Sequence, residues 1–249
     1  MGKGTLRFIA ALILTATLAL PCAAADKQSR PAGSVASEYK RLTKQFEDAR
    51  QEYFKAYQKA NEEERKKLKY PDTLKHAQDL LALAEKNPRD PAAVDALTGA
   101  VLHGRYQGDN DVAPKALELL KAHHIESEKL DAVCQLLTYG SREKENKEFL
   151  TTALAKSPHQ EVKGAASLSL GQLMARRNPA QAEQHFNDVI GKYGTKEQKK
   201  TAKGELYEMH NLAIGKVAPE IKGEDVDGKN FKLSDYRGKV VVLDFWGDW

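Results

Sequence analysis

Residues 215–249 read GKVAPEIKGEDVDGKNFKLSDYRGKVVVLDFWGDW, and this stretch decides how the chain is organised. Val240, Val241, Val242, Leu243, Asp244, Phe245 and Trp246 form a short apolar run rich in β-branched and aromatic residues, placed just after Arg237 and Gly238. Such a run predicts a strand buried on both faces, as at the centre of an α/β sheet. Upstream, Asp227-Gly228 lies between two extended runs, Ile221–Val226 and Lys229–Leu233. An Asp-Gly pair tolerates the positive φ of a tight turn, so these runs predict a β-hairpin. A hairpin followed by one central strand opens a sheet. It does not complete a domain, because 35 residues cannot bury a core of their own.

Four pieces of this stretch occur in order: Gly215-Lys-Val-Ala-Pro219, Asp227-Gly-Lys229, Leu233-Ser-Asp-Tyr-Arg-Gly-Lys239 and Val241-Val-Leu-Asp-Phe-Trp-Gly-Asp-Trp249. Together they resemble the start of a thioredoxin-like domain of the TlpA/ResA redoxin type, related to the AhpC/TSA families. In that family the Trp matching Trp249 is followed directly by Cys-x-x-Cys. The resemblance therefore implies that residues 214–249 are the N-terminal fragment of such a domain, cut before its dithiol. It implies a thiol-disulfide oxidoreductase acting on protein disulfides or dithiols, with no cofactor. The first cysteine, at a helix N-terminus, attacks a substrate disulfide as thiolate, and the second resolves the mixed disulfide. It also implies that Asp244 is the buried proton acceptor beneath the dithiol and that Trp246 and Trp249 flank the site. The 249-residue chain as given is then expected to be inactive. A bland alternative pairs Asp244 with Lys239 at a strand end and leaves both tryptophans in a core. A carboxylate inside an apolar strand is costly to ionise, which favours the proton-transfer role. A peroxiredoxin-like antioxidant protein is a further alternative, but that family usually has an aromatic-Pro stretch and Thr-x-x-Cys after this strand, and Phe245-Trp-Gly-Asp-Trp249 argues against it.

At the other end, Lys3 and Arg7 precede an apolar run from Phe8 to Leu20, then Pro21-Cys22-Ala23-Ala24-Ala25. A positive start, a short apolar run and an Ala-x-Ala site predict a signal peptide over 1–25, cleaved after Ala25. Acylation of Cys22 fits less well, because Pro21 stands immediately before it. The run is short for a membrane span, so the mature protein is expected to be periplasmic or secreted, without a stable span after cleavage. Residues 26–36, with Pro31 and Gly33, predict a linker. Cleavage leaves Cys134 as the one cysteine, on the apolar side of a predicted helix, where a small buried hydrophobe is the expected role.

Residues 37–213 read as helix after helix. Tyr39, Leu42, Phe46, Ala49, Tyr53, Ala56 and Ala60 alternate by three and four, a heptad seam on one helix that is predicted to run on through Glu62–Lys67. Such a seam serves a coiled-coil dimer, a partner helix or the next helices of the same chain, and its Ala positions favour the last. From Pro71-Asp72 onward, an Asp90 cap, a Gly140 stop followed by a Ser141 cap, Asn178-Pro179 and a Thr195–Gln198 capping box are among the signals that mark new helices about every 15 to 20 residues, hence a pair about every 35. The predicted fold class is mainly α: a TPR/HEAT-like helical-repeat solenoid followed by the truncated redoxin start. Such an array presents a face to peptide or protein partners, and a non-catalytic binding scaffold is the second functional reading.

The formal net charge of +4, less the two charges of Lys3 and Arg7, does not point to nucleic acid. The seven histidines, His76, His103, His123, His124, His159, His185 and His210, show no metal-ligand spacing. Asp225-Val-Asp227-Gly228 lacks the acids of a calcium loop where Gly223 and Ser234 stand. The sequence thus predicts no metal and no cofactor.

Overall fold

The computed structural model describes residues 33–105, 110–138 and 142–247. The predicted signal peptide, Cys22, most of the linker, the Gly140 and Ser141 helix boundary and Trp249 lie outside the described residues. Among the described residues there are ten α-helices: α1 Val35–Lys59, α2 Glu62–Arg65, α3 Thr73–Lys86, α4 Ala93–Gly104, α5 Val112–His123, α6 Leu130–Leu136, α7 Glu143–Lys156, α8 Gln160–Met174, α9 Pro179–Asp188 and α10 Lys196–Tyr207. Two short strands follow, β1 Lys222–Glu224 and β2 Asn230–Lys232. The molecule is mainly helical, with a two-stranded antiparallel sheet near its C-terminus, as the sequence predicts.

Local chemistry sets the helix boundaries. Ser34, Asp72, Asn178 and Thr195 each accept a backbone N–H of the first turn through a side-chain oxygen. Thr195 and Gln198 close the predicted capping box: Gln198 N–H donates to Thr195 Oγ1 at 3.3 Å, and Thr195 N–H to Gln198 Oε1 at 2.9 Å. The predicted continuation of the first helix through Lys67 does not occur. Ala60 is extended, at φ −77° and ψ 141°, and Asn61 starts a separate helix by a capping box with Glu64. Asn61 offers its own backbone a side-chain acceptor, and the chain takes it at the expense of continuity. α4 begins at Ala93, a little after the predicted Asp90 cap, because Asp90 Oδ1 instead accepts Ala92 N–H at 2.8 Å and closes a preceding turn. α9 and α10 end in wider π turns, Val189–Tyr193 and Glu208–Leu212.

One core joins α3 through α10. α8 is its central element. It packs on α6, α7, α9 and α10 and is buried on nearly all sides, although it carries two glycines and two serines. Small residues let four neighbours approach together. Ser169 Oγ satisfies itself by donating to Cys134 O at 2.9 Å. Gly171 lies against the fully buried ring of Phe186. Elsewhere, neighbours in sequence pack (α3 on α4, α4 on α5, α7 on α8), and so do helices two apart (α3 with α5, α4 with α6, α6 with α8, α8 with α10). The first part of α1 lies across α3 and α4. Each fully buried Leu or Phe contributes on the order of 1.5–3 kcal/mol, so Leu97, Leu120, Phe149, Leu150 and Phe186 are dominant contributors to the helical region.

Candidate functional site

The hairpin of residues 220–236 forms, with a turn one step different from the predicted one. β1 and β2 pair antiparallel with Lys222 opposite Lys232 and Glu224 opposite Asn230. Gly223 faces Phe231, and the aromatic ring covers the glycine from 3.2 Å of where a Cβ would stand. The turn is not a two-residue Asp227-Gly228 connection. Gly228 N–H donates to Asp225 O at 3.0 Å, and Asp225 N–H pairs with Lys229 O at 2.9 Å. That leaves a three-residue loop, 226–228, in which only Gly228 has positive φ, at 74°. Asp225 is the organiser, its Oδ1 accepting Asp227 N–H at 3.0 Å and Lys229 N–H at 2.8 Å.

A 3₁₀ turn, Leu233–Tyr236, follows β2 and is tied back at two points. Ser234 N–H donates to Glu220 Oε1, and Lys232 N–H to Asp235 Oδ2, both at 3.0 Å. The Ser234 contact holds the Glu220 carboxyl below its usual range. Gly238, at φ 83°, turns the chain again, and the Lys239 ammonium lies over the Tyr236 ring at 5.9 Å. Lys239 is thereby directed to an aromatic face rather than to a strand end.

The strand predicted over Val240–Trp246 is not formed. This stretch carries no regular secondary structure and joins no sheet, and Val240 and Trp246 are 97% and 83% exposed. The reason is the pairing rule for sheets. A strand meant to be buried on both faces needs neighbouring strands for its backbone groups. Among the described residues the one sheet is β1–β2. Asp244 and Trp246 therefore sit in solvent, and Trp249 lies outside the described residues. Neither Asp244 nor Trp246 is enclosed by other elements among the described residues.

Residues 214–249 match the family model described as the AhpC/TSA family. The C-terminal part is similar to thiol-disulfide oxidoreductases named ResA. It is 47% identical over 38 residues to that of Geobacillus thermodenitrificans (strain NG80-2), covering 15% of this chain and 22% of that protein. It is 50% identical over 38 residues to that of Geobacillus kaustophilus (strain HTA426), with the same shares. To that of Bacillus thuringiensis subsp. konkukian (strain 97-27) it is 41% identical over 46 residues, 18% of this chain and 27% of that protein. The chain thus spans about a quarter of the length of the curated relatives it matches. No solved structure matches. The C-terminal segment is thus similar to the AhpC/TSA family, and the relatives it matches are thiol-disulfide oxidoreductases by name.

The helical region holds a second cluster that sequence spacing did not reveal. The Phe46 ring of α1 stacks on the His76 ring of α3, with centroids 4.2 Å apart and planes 1° from parallel. His103 of α4 stands edge-on to both rings, 5.2 Å from Phe46 and 5.0 Å from His76. Burial pushes His76 down to about 4 and His103 in the same direction. These histidines are 27 residues apart, and only the α1–α3–α4 packing joins them. Cys134 is fully buried in α6, and burial raises its thiol well above the usual range, the inert setting the sequence predicts.

Proposed function

We propose that the chain is the helical and front part of an exported thiol-disulfide oxidoreductase. In this reading residues 214–249 enter a redoxin sheet, and a Cys-x-x-Cys dithiol follows Trp249. The observation that carries it is the ordered match of this segment to the AhpC/TSA family model and to the ResA proteins. The formed hairpin supports it further, since the motif residues Asp227-Gly-Lys229 and Leu233-Ser-Asp build its turn and its exit. Asp244 would move a proton beneath the dithiol once the strand is enclosed, and Trp246 and Trp249 would flank it. The protein would be released by cleavage after Ala25 and act on protein disulfides or dithiols. Consistent with that fate, no helix among the described residues is long and apolar enough to cross a membrane.

The helical region, in the same proposal, is a repeat array that offers a face to a protein partner. What supports it is a recurrent sequence interval between touching groups. Lys129 pairs with Asp95 across 34 residues, Gln172 Nε2 donates to Glu205 Oε1 across 33, and Ser169 Oγ to Cys134 O across 35. A depression of about 640 Å³ lies along α8 and α10, lined by Thr138, Gln172, Leu173, Glu205, Met209 and Leu212.

An insulin-reduction assay tests the proposal on the 249-residue chain and on the chain continued through its reading frame past Trp249. The continued chain is expected to turn over, and the shorter one is not. In the continued chain Asp244→Asn is expected to lower turnover at neutral pH by about 10²-fold and to move the pH profile. A reading frame without a cysteine pair after Trp249, or Cys134-dependent turnover by the 249-residue chain, would overturn it.

A further inference from the structure

The apolar seam of α1 outruns the helices that cover it. α1 has 25 residues, about 37 Å at 1.5 Å per residue, whereas α3 has 14, about 21 Å. The two run antiparallel, with Glu38 near Lys86 and Phe46 on His76. The early seam, Tyr39, Leu42 and Phe46, packs onto the core. The later seam does not: Ala56 is exposed and Tyr53 half-buried, with Phe54 and Tyr57 beside them at 46% and 40% exposure. Tyr70 stands edge-on to the rings of Tyr53 and Phe54, and the guanidinium groups of Arg50 and Arg65 lie over Phe54 and Tyr57. Exposed aromatic clusters of this kind mark contact surfaces.

The charges change character at the same point. In the early part Arg41 pairs with Glu38, Lys44 with Asp48 and Arg50 with Glu47, and only Lys40 among the early charges holds no ion pair among the described residues. Past Arg50, Glu52, Lys55 and Lys59 are exposed and hold no ion pair among the described residues. In heptad terms Tyr53 occupies an a position, Ala49 and Ala56 occupy d positions, and Glu52 and Lys59 occupy g positions, with Lys59 the last residue of the helix.

We propose that this overhang docks a second copy of the same chain, the two α1 helices lying antiparallel about a two-fold axis. An antiparallel pair layers a against d. Setting Tyr53 on the partner's Ala56 places a large ring over a methyl group, twice by symmetry. The same register brings Glu52 to the partner's Lys59 and Lys59 to the partner's Glu52. Both charges left over within one chain are then used, and the surface is complementary to itself, as a two-fold contact requires. A parallel pair would stack Tyr53 on Tyr53 and leave Glu52 and Lys59 without each other. The inference is independent of the redox reading, since it uses α1 alone.

Sedimentation velocity of the full chain from about 1 to about 100 µM reads the association. A concentration-dependent monomer–dimer equilibrium is expected. Glu52→Lys or Lys59→Glu alone should weaken it by about tenfold or more, since each places like charges across both symmetric contacts. The double variant E52K/K59E restores the pairing in reverse and should return the affinity to within about twofold. Circular dichroism checks that all variants keep the same helicity. A monomer at every concentration would overturn the proposal. So would a dimer indifferent to either single reversal, as for contact through the exposed Val240–Trp246 run, or a double variant that fails to restore.

Discussion

His76 is a titratable ring in a setting that suits only its neutral form. It is 6% exposed, lies flat on Phe46, and has His103 beside it. Asp79 and Glu47 nearby favour its protonation, but desolvation and His103 outweigh them and push it to about 4. The sign follows. Unfolded, the ring takes its proton near pH 6.5, so between that value and about 4 the unfolded chain binds more protons than the folded one. Stability contributed by neutral His76 is complete above pH 6.5 and is lost as the pH falls towards 4. At about 1.4 kcal/mol per unit, the loss is about 2–3 kcal/mol. Urea unfolding at pH 7 and at pH 4 should show it as a larger drop for the natural chain than for His76→Phe, which keeps a ring on Phe46. Carboxylates titrate alike in both proteins, so equal drops would sink the assignment. Nothing in the spacing of His76 and His103 announced this contact, because a 27-residue interval has no local meaning until α3 folds back on α4.

Among the elements, α8 shows how the small residues of a sequence become structural. Its glycines and serines would read as poor helix formers, yet they are what let α6, α7, α9 and α10 converge on it. A Cβ at Gly171 would meet the Phe186 ring at 2.5 Å, and Phe186 is itself fully buried. Gly171→Ala should therefore destabilise by about 1–3 kcal/mol despite its better helix propensity. The companion Gly191→Ala has no atom within 4 Å of the added methyl. Thermal unfolding should lower the midpoint of the first variant and leave the second near the parent, and a neutral G171A would show that the ring has room to move. The capping signals at Asp72, Asn178 and Thr195 were legible in the sequence because each acts within one turn. The break at Ala60 was legible too, in Asn61-x-x-Glu64, but the charge run beyond it reads equally well as solvent-facing helix. The hairpin was legible as a pair of strands, whereas its turn depended on the side chain of Asp225, one step before the Asp-Gly signal.

At the scale of the whole molecule, the described chain divides its apolar residues unequally. In the helical region most are enclosed, the aromatic residues late in α1 being among the exceptions; at the end, Val240, Val242, Phe245 and Trp246 stand in water. β-Branched and aromatic residues in a run gain their stability from neighbouring strands and a covering layer, so pattern alone predicted a strand here that pairing does not supply. Under the proposed function those neighbours come from the residues that follow Trp249. Hydrogen exchange reads the difference directly. In the 249-residue chain the amides of α8 should be the slowest to exchange, and those of 240–247 should exchange at nearly the unprotected rate. In the chain continued through its reading frame, Val240–Phe245 should gain protection of about 10³-fold or more, since their amides then pair in a sheet interior. Trp246 emission should shift to the blue as the ring leaves water. Strong protection of 240–245 already in the shorter chain would contradict the exposed tail. Its absence in the continued chain would mean that this segment never enters a sheet, and the place assigned to Asp244 would be lost with it.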